Sequence, residues 1–200
     1  PAFAVRSGEI QGAVGFTPRS GGGLTQIANG AGYSLVAAFS VELWLKTISQ
    51  HPTKGLVFVN QRTIDGNANV DIGLEDGKVV VRLLKAASYT TITSAALYPT
   101  NTWFKLTVTY DGTTCKIYFN KDVDANTGTL AANLDAATGN QSSHVFGSIS
   151  GGASNFYIGL ISEMRVWNVA LSASQIAANL YFRRGKNLGL LSYYKTSDDT

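Results

Sequence analysis

Short runs in which apolar and polar residues alternate recur along most of this chain. The clearest run is residues 39–46, where Phe, Val, Leu and Leu alternate with Ser, Glu, Trp and Lys. A period of two is typical of a β-strand that buries one face and exposes the other. Because long helical patterns are missing, the sequence predicts a protein built mainly of strands.

Two β-hairpins follow from the same pattern, because pairs of alternating runs are joined by Asp-Gly. The runs are residues 70–74 and 79–83 around Asp76-Gly77, and residues 104–110 and 115–119 around Asp111-Gly112. Asp-Gly suits a type I′ turn, in which both central residues need a positive φ. Hairpins in series predict antiparallel sheets.

The rest of the chain carries weaker signals for strands and one signal for a helix. Residues 121–155 are rich in small polar residues, and they contain a single predicted strand at 143–147. The run 190–195 alternates again and is expected to pair near the N-terminal strand. Ser172 and Gln175 have the spacing of a capping box, which predicts a short helix at 172–180. We therefore predict an all-β fold, a two-sheet antiparallel β-sandwich of the jelly-roll type with one short C-terminal helix.

Length and composition favour one globular domain, residues 1–200. The chain has 200 residues, of which 44% are hydrophobic and 14% charged, and no linker or repeat divides it. Its net charge of +3 comes from scattered bases, so no nucleic-acid partner is predicted. A single cysteine, Cys115, cannot form an internal disulfide. No apolar run reaches the roughly 18 residues of a membrane span, and none is predicted.

Five motifs in order resemble laminin-G-like domains of the concanavalin A-like lectin/glucanase superfamily. They are Gly23–Ile27 followed by FSVELWLK at 39–46, NTWFKLTVTYDG at 101–112, YFNK at 118–121, the strand and helix start at 159–171, and LLSYYK at 190–195. Lys121 replaces the family's usual glycine, and Phe104 replaces the usual tyrosine or histidine after the tryptophan. The resemblance implies a concanavalin A-like jelly roll, an extracellular location or one on a particle or cell surface, and a role in binding glycans.

The superfamily also contains glucanases, which place closely spaced carboxylates on one strand. This chain has no E-x-D-x-E or E-x-x-x-E run. Asp122 and Asp124 have a suitable spacing, but they follow a turn and are interpreted as solvated loop carboxylates. Glu163 and Arg165 share a strand face and are interpreted as a structural ion pair. The sequence therefore predicts a binding protein and no catalytic residues.

Many laminin-G-like domains hold Ca²⁺ near the rim of the sandwich. The densest set of oxygen-bearing side chains is residues 65–71, in which Asp65, Asn67 and Asp71 are the candidate ligands for Ca²⁺. An ordinary loop rich in glycine and asparagine is the alternative interpretation of this stretch.

Candidate glycan-binding residues are taken from loops over the scaffold and from one strand. Trp44 lies on the polar face of its strand, where an exposed ring could stack on a sugar. The loop candidates are Gln61, Arg62, Asn67, Asn69, His144, Asn155 and Tyr157.

A structural or assembly subunit of a surface layer, filament or phage particle is the alternative function. Residues 1–16 are typical of an extended arm, which could add a strand to a neighbouring copy and so form a homo-oligomer. The leading hypothesis remains a non-catalytic, lectin-like module that recognises a glycan or a glycosylated surface.

Overall fold

A computed structural model describes residues 14–16, 25–29, 35–51, 53–62, 68–130, 133–135, 142–146, 155, 157–180 and 189–194. The strands are β1 (Val14–Phe16), β2 (Thr25–Asn29), β3 (Phe39–Thr47), β4 (Gly55–Arg62), β5 (Ala68–Glu75), β6 (Lys78–Lys85), β7 (Ser88–Leu97), β8 (Phe104–Tyr110), β9 (Thr114–Phe119), β10 (Asp122–Thr129), β11 (Ser142–Phe146), β12 (Gly159–Trp167) and β13 (Leu190–Tyr194). The helix α1 is Ala173–Asn179.

The strands form two antiparallel sheets. Sheet A has the order β1-β12-β3-β8-β9-β10, with β13 also paired to β12, and sheet B has the order β2-β11-β4-β5-β6-β7. The predicted all-β sandwich with one short helix is confirmed. The tail strand β13 pairs with β12 on the same side as β1, as expected. Nothing in this arrangement tests whether residues 1–200 are a single domain.

The core lies between the sheets and is formed by the apolar half of each alternating run. In β3 the residues Phe39, Val41, Leu43 and Leu45 are at most 1% exposed. The β5–β6 hairpin contributes its apolar residues in the same way, because every second side chain of a strand points to one face.

The two Asp-Gly turns differ in structure. Asp76 and Gly77 both have positive φ, 48° and 76°, as a type I′ turn requires. At the second turn only Gly112 has a positive φ, and the Asp111 carboxylate accepts the N–H groups of Thr113 and Thr114. The predicted type I′ geometry is therefore wrong for the second hairpin, because Asp111 closes its turn with its side chain.

The strands β7 and β10 were not predicted, and they form the open edges of the two sheets. The prediction that Asp122 and Asp124 lie in a solvated loop is also wrong, because both belong to β10. Asp124 is 6% exposed, and its carboxylate accepts the N–H groups of Ala95 and Ala96 in β7 at 2.8 and 2.9 Å. This side chain therefore joins the edge of one sheet to the edge of the other.

The helix α1 packs on the outer face of sheet A. Ser172 and Gln175 form the predicted capping box, and Ile176 is the buried residue of the helix. Ile176 shares a cluster with Tyr118, Trp167 and Leu171. In the described residues this seven-residue helix is too short to cross a membrane.

A buried ion network lies beneath the helix. Lys105 is 2.9 Å from Glu42, and its ammonium also donates to the carbonyl of Asn179 at the end of α1. Arg165 is 3.7 Å from Glu42 and 3.3 Å from Glu163, so the predicted Glu163–Arg165 ion pair is confirmed. Burial raises the pKa of Glu42, although Lys105 and Arg165 oppose that shift.

The segment that was expected to be a free arm ends in the chain's own sheet. Its last three residues form β1, which pairs with β12 of the same molecule. Residues 1–13 lie outside the described residues, so a homo-oligomer formed through them stays a prediction.

Replacing Asp124 by alanine should destabilise the fold. The change removes the acceptor of two part-buried hydrogen bonds, from the N–H groups of Ala95 and Ala96, which we expect to lower the free energy of unfolding by about 1–3 kcal/mol. Asp122→Ala is the matched control, because Asp122 is exposed and should change stability by less than about 0.5 kcal/mol. Urea denaturation measures both, and equal effects of the two changes would contradict the bridging role of Asp124.

Candidate functional site

The outer face of sheet B carries a group of charged and aromatic side chains. Asp71 alternates with the core residues Val70 and Ile72, so its side chain points away from the core. The register pairs Asp71 with Arg82 on β6, and it pairs the neighbouring Leu84 with Tyr89 on β7. Lys54, just before β4, reaches the same carboxylate. We call Lys54, Asp71, Arg82 and Tyr89 the Tyr89 platform.

Asp71 holds the two cations of the platform. The Nε of Arg82 donates to both carboxylate oxygens, at 3.1 and 2.8 Å, and its Nη2 lies 2.7 Å from Oδ2. The Lys54 ammonium donates to Oδ1 of the same carboxylate. Asp71 is buried, and the two cations in contact with it balance its charge, as a buried carboxylate requires.

The Tyr89 side chain extends across the neighbouring strand β6. Its hydroxyl donates to the carbonyl of Ala68 at 2.9 Å, and that residue belongs to β5, on the far side of β6. The guanidinium carbon of Arg82 is 5.2 Å from the ring centroid, a cation–π distance. Although Arg82 lies over the ring, 38% of Tyr89 remains exposed.

Burial and charge shift the pKa values of the two cations in opposite directions. Burial lowers the pKa of Lys54, and the Asp71 carboxylate offsets only part of that shift. Burial also disfavours the charged form of Arg82, but the hydrogen bond and the charge of Asp71 prevail and raise its pKa. Asp71 therefore favours the charged form of both cations, fully offsetting the effect of burial for Arg82 and partly offsetting it for Lys54.

Gly73 makes room for Lys54. A Cβ atom at position 73 would lie 2.7 Å from Cε of Lys54 and 2.9 Å from its Cγ. The aliphatic part of Lys54 thus lies over the bare backbone of β5, which directs its ammonium to Asp71.

Several predicted site residues meet at one corner of sheet B, beside this platform. Gln61 and Arg62 end β4, and the backbone of His144 in β11 pairs with Asn60 of β4. The predicted strand at 143–147 corresponds to β11, so the assignment of His144 to a loop is wrong. Asn69 is fully buried, and its amide donates to the carbonyls of Leu35 and Asp135, so this amide is engaged inside the protein.

The remaining predicted residues lie elsewhere. Asn155 is half-buried, and its carbonyl accepts the N–H of Leu56. Tyr157 is 0% exposed and stacks on His51 at 5.5 Å, and burial raises its pKa. The expected exposure of Tyr157 is therefore wrong. Trp44 is half-buried on the outer face of sheet A, opposite Lys105.

Of the three candidate calcium ligands, the structure describes only Asp71. Asp65 and Asn67 lie outside the described residues, and Asp71 is engaged by Lys54 and Arg82. A Ca²⁺ ion at Asp71 would have to displace both cations. In the described ranges no three His, Cys, Asp or Glu side chains are grouped to hold a metal. The calcium site stays a prediction.

The sequence analysis did not identify Lys54, Arg82 or Tyr89 as site residues. The register of one hairpin could have indicated Arg82. A two-residue turn at Asp76-Gly77 fixes the register of its hairpin, and counting outward from Glu75 and Lys78 pairs Asp71 with Arg82. Opposite charges at directly paired positions interact across a sheet.

Comparison with known proteins identifies the family. A family model of laminin-G type, described as the concanavalin A-like lectin/glucanases superfamily, matches residues 19–177. The chain belongs to this superfamily. The match confirms the resemblance inferred from the motifs. No curated protein matches the chain in sequence.

Three solved structures share the superfamily fold. A putative carbohydrate binding protein from Bacteroides ovatus has a TM-score of 0.72 at 19% identity, with 92% of this chain covered and 50% of that one. Domain 4 of AbnA, an extracellular GH43 arabinanase from Geobacillus stearothermophilus solved with arabinotriose, has a TM-score of 0.64 at 22% identity, with 86% and 77% covered. A heptameric SAP-like pentraxin from Limulus polyphemus has a TM-score of 0.63 at 18% identity, with 86% and 84% covered.

This chain therefore spans half the length of the Bacteroides ovatus protein. At these identities the likeness is one of fold.

Removing the Asp71 charge should destabilise the folded protein, because Lys54 would then be buried without a charged partner. Asp71→Asn is expected to lower the free energy of unfolding by about 1–3 kcal/mol at pH 7, because a largely buried ammonium loses its charged acceptor. The pKa of folded Lys54 would then fall further below its unfolded value. The unfolded chain binds more protons in that interval, so part of the stability should return as the pH rises from 7 toward 10.

Asp76→Asn is the control for this change. It removes an exposed carboxylate from the turn of the same hairpin, at a position with positive φ that asparagine tolerates. Thermal unfolding from pH 6 to 10 compares the two variants, and a pH-independent loss in Asp71→Asn would count against the role of Lys54.

Proposed function

We propose that this chain is a non-catalytic, lectin-like module that binds glycans through the Tyr89 platform. The observation that carries the proposal is the Tyr89 ring, which extends across β6, is held at its hydroxyl and by Arg82, and keeps part of its surface exposed. A fixed aromatic face loses little conformational entropy when a flat, apolar sugar face stacks on it.

The neighbours of the ring supply polar groups for sugar hydroxyls. The Arg82 side chain is 36% exposed, so its guanidinium has donors beyond those used by Asp71. Thr91 pairs with Arg82 on the adjacent strand and is exposed on the same face. Aromatic surface beside fixed polar groups is the usual composition of a small-ligand site.

The family and two of its similar structures support a sugar ligand. The Bacteroides ovatus protein is described as a putative carbohydrate binding protein, and the arabinanase domain was solved with arabinotriose. A glycan ligand in turn supports a location outside the cell or on a particle surface.

The roles of the buried carboxylates favour binding over catalysis. A retaining glycosidase needs two carboxyl groups about 5–5.5 Å apart beside the substrate, with one of them able to give up a proton. Asp71 is engaged by two cations, and Asp124 accepts three backbone N–H groups. Glu42 is 0% exposed beneath the helix.

A glycan array with the complete chain tests the proposal, in CaCl₂ and again in EGTA. We expect binding to a defined set of glycans. Binding that is lost in EGTA would support a Ca²⁺ site among Asp65, Asn67 and Asp71. An array that stays blank under both conditions would reject the lectin-like function.

Tyr89→Ala should weaken binding of any glycan found on the array about five-fold, because stacking on one ring contributes on the order of 1 kcal/mol. Tyr89→Phe keeps the ring but loses the bond to Ala68, so its loss should be smaller. Isothermal titration calorimetry measures both variants.

Trp44→Ala is the matched control, since it removes a half-buried aromatic ring from the other sheet. Loss of binding in Trp44→Ala with none in Tyr89→Ala would move the site to sheet A, where the sequence first suggested a platform.

A further inference from the structure

A second concave site lies between the edge strands β7 and β10, away from the Tyr89 platform. Both strands are irregular there. The pairing of β7 with β6 shifts between Val80 and Lys78, and the pairing of β10 with β9 shifts between Val123 and Thr127. β-Bulges of this kind redirect side chains and are common next to binding sites.

Two side chains hold the irregular backbone in place. Ser94 is fully buried, and its hydroxyl accepts the N–H of Val79 and donates to the carbonyl of Ala96. Asp124 accepts the N–H groups of Ala95 and Ala96 from the opposite sheet. The two edges are thus pinned to each other, so the cleft is formed before any partner arrives.

The cleft has a volume of about 360 Å³, and apolar residues form most of its lining. Phe104 and Phe119 lie within it with ring centroids 6.1 Å apart, and Leu97 and Val123 stand at its sides. This volume is at the lower end of the range for small binding pockets.

Two exposed apolar side chains line the cleft, and a third follows a residue that is bonded to the lining. Leu97 is 60% exposed and Val123 is 55% exposed, and both line the cleft. Ile48, 51% exposed, follows Thr47, whose hydroxyl donates to the carbonyl of the lining residue Pro99. In the part of the chain that the structure describes, these three are joined by only one other exposed large apolar side chain, Tyr89. Grouped exposed apolar residues mark interaction surfaces.

The charge of the cleft has one sign. Its described lining contains the carboxylates of Asp122 and Asp124 and no lysine or arginine, although the chain as a whole has a net charge of +3. Lys78 acts on Asp124, whose oxygens are occupied by backbone N–H groups. Asp122 is exposed and makes no ion pair within the described ranges, so its carboxylate is available to a cation from outside.

A sugar is a poor match for this lining. The amide oxygen of Asn120 already accepts the N–H of Lys105 at 3.0 Å, and few other side chains in the cleft could bond to hydroxyl groups. The open cleft with apolar sides instead suits a side chain presented by another polypeptide.

We propose that this cleft docks a partner polypeptide that places a large apolar side chain between Leu97 and Val123 and a lysine or arginine beside Asp122. The apolar side chain is buried against Phe104 and Phe119, and the cation pairs with Asp122, which makes no ion pair within the described residues. The site is independent of glycan binding, because it uses neither Tyr89 nor Arg82.

Titration of the ¹⁵N-labelled complete chain with three hexapeptides, followed by NMR, tests this proposal. The probes are the amidated, acetylated sequences SGLKGS, SGLEGS and SGAKGS. SGLKGS should shift the amide signals of Ala95, Ala96 and Val123 in a saturable way. It should bind about two- to five-fold more tightly than SGLEGS, the range expected for one exposed ion pair. SGAKGS should bind more weakly than SGLKGS, because it lacks the large apolar side chain.

A variant with the opposite charge at position 122 tests whether Asp122 sets the preference between SGLKGS and SGLEGS. Asp122→Lys changes an exposed residue, so the fold should persist, and unchanged signals from the core will verify it. This variant should reverse the preference toward SGLEGS. No saturable shift at the three amides, equal binding of SGLKGS and SGLEGS by the unaltered chain, or equal binding of SGLKGS and SGAKGS would overturn the proposal.

Discussion

The register of the β5–β6 hairpin is the constraint on which both the core and the Tyr89 platform depend. Asp76 and Gly77 hold the turn in its two positive-φ conformations, and this fixes which residues face each other along both strands. A slip of one residue would exchange the two faces of a strand. It would bring Asp71 or Arg82 toward the core, where an unpaired charge is costly. The same turn that buries Ile72 and Val81 therefore sets Arg82 against Asp71.

Buried and half-buried carboxylates hold the chain where local turn signals are weak. Ala86 and Ala87 both have positive φ, and the Asp135 carboxylate accepts their N–H groups at 2.9 and 3.2 Å. Asp124 does the same for Ala95 and Ala96 at the other end of β7. Each carboxylate satisfies two donors that an alanine side chain cannot serve. The spacing of Asp122 and Asp124 resembles that of a catalytic pair, but Asp124 stabilises the fold by accepting backbone N–H groups.

The sequence predicted the central strands because their signals are local. Strand β3 alternates cleanly, and the first Asp-Gly turn has the residues that its geometry needs. The edge strand β7 could not be predicted from local signals. It is mostly exposed, and it begins after Ala86 and Ala87, which are not typical turn residues. The acceptor that stabilises this turn, Asp135, lies almost fifty residues away in sequence. Tyr89 comes directly after that turn. Its position over Arg82 could not be foreseen without the turn, so the platform could be found from sequence only as far as the Asp71–Arg82 pair.

Strand β7 belongs to both proposed sites and keeps them apart. Tyr89 stands near its beginning and Leu97 at its end, eight residues later, which corresponds to about 26 Å of extended strand. The first half pairs with β6 in a continuous ladder, and the second half contains the bulge, after which Leu97 pairs with Lys78. A glycan on the regular half and a polypeptide at the irregular half would therefore contact different faces and different residues. The ring depends on the regular half, where the ladder is uninterrupted, whereas the cleft is lined by residues of the bulge. One edge strand provides both because Ser94 and Asp124 hold the backbone of Ala95 and Ala96 in the bulge.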